Sequence, residues 1–157
     1  MTRDELILLE AKWRVGEITQ SDLHGVADDL LNRGEDDPAL IRLFALESDE
    51  MRWHGAQEFE SLLRNWGGGT MSEREAVSVI LRDLASGVVG GTIAPEVATS
   101  SVEAIWIRTN YQYDDLIDWR DLNEELSYLD RAGLSYLGRD RATVEADVLS
   151  LARAVLG

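Results

Sequence analysis

The chain has 157 residues and no cysteine, and thirty acidic side chains stand against fifteen basic ones, for a formal charge of −15. Without cysteine there can be no disulfide, thiolate metal site or cysteine nucleophile, and the acidic excess repels nucleic-acid phosphate and anionic lipid. The length is enough to bury a core without crosslinks, as one helical domain over residues 1–157 or as two small halves.

The first helix is expected over about residues 2–15, with Leu6, Leu9 and Trp13 inward and Gly16 as its stop. Its longest apolar run, Leu6 to Leu9, is too short for a signal-peptide core or a membrane span, so a soluble cytoplasmic chain is expected. Thr19 or Ser21 can cap a second helix whose inner face is Leu23, Val26, Ala27, Leu30 and Leu31, with Gly34 ending it. Asp37 followed by Pro38 marks a third start, because aspartate caps a helix and proline at its first position forfeits no hydrogen bond. Ser48 opens a fourth helix with Met51, Ala56, Phe59, Leu62, Leu63 and Trp66 inward. Gly67, Gly68 and Gly69 end it and provide a candidate hinge between halves 1–66 and 72–157.

Ser72 and Glu75 form a capping box for a fifth helix, whose inner face is Ala76, Val77, Ile80, Leu81 and Leu84 and whose end lies between Gly87 and Gly91. Pro95 starts a sixth, with Val97, Ser101, Val102, Ile105 and Trp106 along one side. Trp119, Leu122, Leu126 and Leu129 share one stripe of a seventh, and Val144, Val148, Leu151, Ala152 and Val155 face inward on an eighth. No stretch alternates apolar and polar over strand length, so the fold is all-α: seven to eight helices in a compact bundle. Gly16-Glu17-Ile18 and Gly91-Thr92-Ile93, seventy-five positions apart, and Asp36-Asp37 and Asp114-Asp115, at nearly that offset, suggest two pseudo-repeated four-helix halves.

The most informative stretch is 110–130. Asp114, Asp115, Asp118, Asp121, Glu124, Glu125 and Asp130 meet a single internal base, Arg120, and Tyr111 and Tyr113 precede them. Asp114, Asp118, Asp121 and Glu125 are expected on a wet helix face bearing carboxylates alone. Tyrosine supplies rigid contact area while carboxylates steer and pair with arginine or lysine, so Tyr111, Tyr113, Asp114, Asp115, Asp118, Asp121, Glu124 and Glu125 form a candidate partner-binding surface.

Asp114-Asp115-x-x-Asp118 resembles the aspartate-rich motif of terpene and prenyl-diphosphate synthases, which implies magnesium and a diphosphate, although those enzymes use a larger helical barrel and a second metal motif. Glu47 and Glu50 have the i, i+3 spacing of the magnesium ligands in all-α nucleotide pyrophosphohydrolases. A magnesium-dependent helical phosphohydrolase is therefore one alternative, and a self-associating helical module another. His24 and His54 belong to no metal-ligand spacing, no serine sits in a nucleophile elbow, and neither catalytic centre, metal nor cofactor is expected.

In general character, the small, acidic, cysteine-free helical chain resembles bacterial immunity proteins for polymorphic toxins and phage-encoded inhibitors. That resemblance implies a monomer or homodimer that binds a basic protein, with no nucleic acid or membrane as partner, and it transfers no individual residue.

Overall fold

The computed structural model describes residues 1–133, 135 and 137–157. Among them are eight α-helices: α1 (Arg3–Arg14), α2 (Leu23–Asn32), α3 (Pro38–Ala45), α4 (Ser48–Asn65), α5 (Glu73–Val89), α6 (Pro95–Arg108), α7 (Ile117–Ala132) and α8 (Arg141–Leu156). Short 3-10 turns at Gln20–Asp22 and Asp114–Leu116 lead into α2 and α7. No described helix is long and apolar enough to cross a membrane.

Local chemistry explains the boundaries. Thr2 and Glu5 form a reciprocal capping box on α1, and the Thr2 amide and hydroxyl, with Arg33, hold the Glu5 carboxyl down to about 2. Asp37 accepts from the Ala39 amide at 2.7 Å beside Pro38, and Ser72 and Glu75 cap α5 through bonds of 2.8 and 3.3 Å. Glu47 and Glu50, the pair with metal-ligand spacing, form the capping box of α4.

The chain divides into two compact units, Met1–Ala76 and Val77–Gly157. The division falls in the first turns of α5, beyond the three glycines expected to act as a hinge. Those glycines are closed onto the first unit. The Gly67 amide donates to Arg64 and that of Gly68 to Leu63, while Glu10, only 3% exposed, accepts from the Met71 amide at 2.9 Å. A Cβ at Gly68 would lie 2.6 Å from Glu10 Oε2, so a side chain there would have to displace that carboxylate.

In the first unit, α2, α3 and α4 pack on one another around Leu23, Leu30, Leu40, Leu43, Phe59 and Leu62, with Leu6 of α1 in the same core. Trp13 of α1 meets Phe59 edge-on at 5.0 Å and donates its indole N–H to Glu60, which also pairs with Arg14. In the second unit, α6, α7 and α8 pack on one another in the corresponding order, and Val102, Ile105, Trp119, Leu126, Val144 and Val148 are buried.

The two units also share the turn after their first helix. The Glu17 and Ile18 amides donate to Lys12 at 2.9 and 3.1 Å, and those of Thr92 and Ile93 donate to Gly87 at 2.9 and 3.1 Å. Gly16 and Gly91 turn the chain at φ +69° and +71°, the left-handed C-terminal closure that favours glycine. At Gly87 the absent Cβ also makes room for Ile93, because a Cβ would sit 2.5 Å from Ile93 Cγ1. Gly87→Ala is therefore expected to cost about 1–2 kcal/mol through overpacking. Gly25→Ala on α2, where nothing lies within 4 Å, should stabilise by about 0.5–1 kcal/mol. Urea unfolding of the two variants checks the contrast, and a neutral Gly87→Ala would contradict the close approach.

One expectation of facing is corrected. Val97 is exposed, whereas Val102 and Ile105 face inward as expected and are joined there by Ala98 and Thr99. Trp53 is 75% exposed, two positions from buried Met51 and so on the far side of α4.

Candidate functional site

The acidic stretch is a 3-10 turn followed by a helix, and this break sorts the eight residues expected to act together. Asp114 and Asp115 sit on the turn and Asp118 in the first turn of α7, where carboxylates complement the positive end of the helix dipole. Along α7, Asp118, Asp121, Leu122 and Glu125 follow one another at helical spacing toward α8. Glu124 lies on another side and is paired with Arg120.

Tyr111 is 57% exposed and, like Asn110, has positive φ (+63° and +52°). That conformation strains a tyrosine. It is held by the Tyr111 amide bond to the Trp106 carbonyl at 2.9 Å and by edge-on packing of the two rings at 4.7 Å. Arg120 lies 5.6 Å from the centre of the Trp106 ring and bonds Asp121 at 2.7 Å, so its charge is raised in preference by those carboxylates. Tyr113 precedes the turn, half-buried.

The expectation of a face with carboxylates alone is corrected at Glu125. That side chain is 2% exposed and its carboxylate takes the Arg139 guanidinium in a two-pronged pair, with Nε at 2.9 Å from Oε1. Arg139 hydrogen bonds, opposed by burial and aided by the Ser135 hydroxyl, hold the Glu125 carboxyl below its ordinary range. The loop between α7 and α8 aims the arginine. Gly133 ends α7 in the left-handed region, the Ser135 amide donates to the Arg139 carbonyl, and the Arg139 amide donates back to Ser135 Oγ at 2.9 Å. Arg139 also bonds Asp147 of α8, and Arg141 pairs with Asp130.

These elements frame a surface groove of about 510 Å³ between α7 and α8. Its lining carries the carboxylates of Asp118, Asp121, Glu125 and Asp147 against the single guanidinium of Arg139, a net charge of −3, over Leu122, Leu137, Leu151 and Ala154. Asp118 forms no ion pair among the described residues, and Asp121 keeps a half-exposed side chain despite Arg120. Asp147, Arg139 and Leu137 were not singled out from the sequence. The signal for α8 was available, since Asp147, Ser150, Leu151 and Ala154 repeat the spacing of Asp118, Asp121, Leu122 and Glu125.

A larger cavity of about 730 Å³ in the first unit is lined by Leu6, Trp66, Met71, Glu10 and Glu75 among others. Its carboxylates are already committed, Glu10 to the Met71 amide and Glu75 to Ser72, so it offers less unsatisfied charge than the groove.

Among the described residues, no three histidine, aspartate or glutamate side chains converge in a way that could hold a metal ion. Millimolar magnesium or manganese is expected to leave the melting temperature where an equal ionic strength of sodium chloride puts it. A cation at about a hundred times its Kd would instead add about 2.7 kcal/mol.

Compared with protein-family models, curated proteins and solved structures, the chain gives no match, and its functional reading rests on the groove and its surroundings.

Proposed function

We propose that the chain is a non-enzymatic protein-binding module, an immunity or inhibitor protein that neutralises a basic partner through the acidic face of α7 and the groove beside it. The observation that carries this reading is the groove lining: four carboxylates against one guanidinium, set over leucines. Exposed carboxylates steer a cationic partner and speed encounter, while a desolvated apolar floor slows release. Tyr111, packed on Trp106 and more than half exposed, supplies the rigid aromatic contact that such interfaces favour. Asp114 and Asp115, on the turn before α7, extend the charge toward that aromatic pair.

The test is capture from the source cell's lysate at low and at high salt, with wild-type bait and with bait reversed at Asp114, Asp118 and Asp121 to lysine. The reading predicts one basic protein held by wild type, released by salt and absent from the reversed bait. Recovery of the same proteins on both baits would overturn it, as would the absence of any salt-sensitive partner.

A further inference from the structure

Resting on that reading, we propose that the α7–α8 groove receives an amphipathic helix of the partner, one with an apolar ridge flanked by arginine or lysine. The two walls repeat one spacing and run in opposite directions. Asp118, Leu122 and Glu125 on α7 and Asp147, Leu151 and Ala154 on α8 line the groove, Glu125 and Asp147 share Arg139 at one end, and each set spans two helical turns, about 10 Å. A groove of this kind accepts the side-chain ridge of a third helix at i, i+3, i+4 and i+7.

An extended segment fits poorly. The backbone N–H and C=O groups along two helical walls are used within those helices, so an extended peptide would leave its own polar backbone without partners. A helix satisfies its backbone internally and brings only side chains. Leu122 and Leu151 then meet its apolar ridge, and Asp118, Asp121 and Asp147 meet its cationic flanks. A second copy of this chain is the wrong occupant, because each copy carries −15. Arg139 covers the buried Glu125 and also bonds Asp147, while Asp121 pairs with Arg120. Asp118, without an ion pair among the described residues, meets the partner's cations directly, and Asp121 and Asp147 meet them in competition with those half-exposed pairs.

The experiment uses the full chain and labelled synthetic peptides of about 18 residues, long enough to form helix on binding. One is a leucine–arginine peptide with leucines at helical spacing, the second the same composition scrambled so that no face forms, the third all arginine. Fluorescence anisotropy reads affinity, and far-UV circular dichroism of the mixture reads helix gained on binding. The variants are Ala154→Arg, which places a cation in the groove at an exposed helical position, and Ala142→Arg, which adds the same charge to α8 outside the groove lining. Leu151→Gln probes the floor without adding charge. A thermal melt of each variant establishes that it folds.

The amphipathic peptide should bind at least about ten-fold tighter than the other two and gain helicity. Ala154→Arg and Leu151→Gln should lose at least about ten-fold while Ala142→Arg stays within about two-fold; ten-fold corresponds to about 1.4 kcal/mol. Equal binding of all three peptides, or no effect of Ala154→Arg and Leu151→Gln, would overturn the helix as occupant. Continued loss of those peptides on reversal of Asp114, Asp118 and Asp121 would then leave the acidic-face reading standing. If no peptide binds in a salt-dependent way, that reading and this proposal fall together.

Discussion

Arg139→Ala is expected to destabilise the second unit by about 3 kcal/mol, because it leaves the Glu125 carboxylate, 2% exposed, without its counter-charge. Removing one member of a buried pair strands the other, and that costs about 3–5 kcal/mol where burial is complete. The guanidinium here is partly exposed, which places the cost at the lower end. For a unit of this size, about 3 kcal/mol corresponds to a fall in melting temperature of more than about 10 °C. Calorimetry of wild type and variant checks it, and a melting temperature within about 2 °C of wild type would contradict the pairing.

The same pair sets a pH dependence. The Glu125 carboxyl lies below its ordinary value near 4.5, chiefly through the Arg139 hydrogen bonds. Folding therefore favours the deprotonated form, and the stability it contributes is fully present above the unfolded value near 4.5. It is lost as pH falls through the lowered folded value. Arg139→Ala should remove much of this acid-limb slope, since burial alone pushes the carboxyl the other way.

Glu125 also shows where sequence reading stops. Its position on α7 followed from periodicity, but a carboxylate beside an apolar stripe reads the same whether it is wet or paired. Its partner comes from a loop fourteen residues on, and no repeat connects the two. Glu10 is the parallel case in the first unit, where the donor is a backbone amide sixty-one residues away. In contrast, Asp37 with Pro38, Ser72 with Glu75, and glycines 16, 34 and 91 all act where expected, because caps and left-handed stops are settled within a few residues. Of the suggested repeat, Gly-x-Ile marks the same amide-to-carbonyl pattern in two turns, whereas Asp37 caps α3 and Asp114 and Asp115 lie on a 3-10 turn. On α6, Val102 and Ile105 face inward as expected, but Val97 was misplaced because the other inner residues, Ala98 and Thr99, are ones a hydrophobic pattern weights little, while Val97 draws attention and points outward.

Reversing Asp114, Asp118 and Asp121 to lysine is expected to weaken binding of a basic partner by about 100-fold or more at low salt. Steering by such charges changes association rates by about 10- to 1000-fold, and desolvated charge pairs contribute further through dissociation. The fold should survive. Asp114 and Asp118 form no ion pair among the described residues, and Asp121 surrenders only its exposed pair with Arg120, typically worth under about 1 kcal/mol. Lysines near the start of α7 oppose the helix dipole, costing about 0.3–1 kcal/mol each. The triple asparagine variant removes charge without reversing it and should lie between wild type and the lysine variant.

The most direct measurement is the affinity of the captured basic protein for wild type and for the lysine variant across a salt series. The protein-binding account predicts tight wild-type binding that weakens steeply as salt rises, and weak binding by the variant with little salt dependence. Equal affinities with equal salt slopes would show that the acidic face of α7 and its groove are not the binding surface, and would contradict the account.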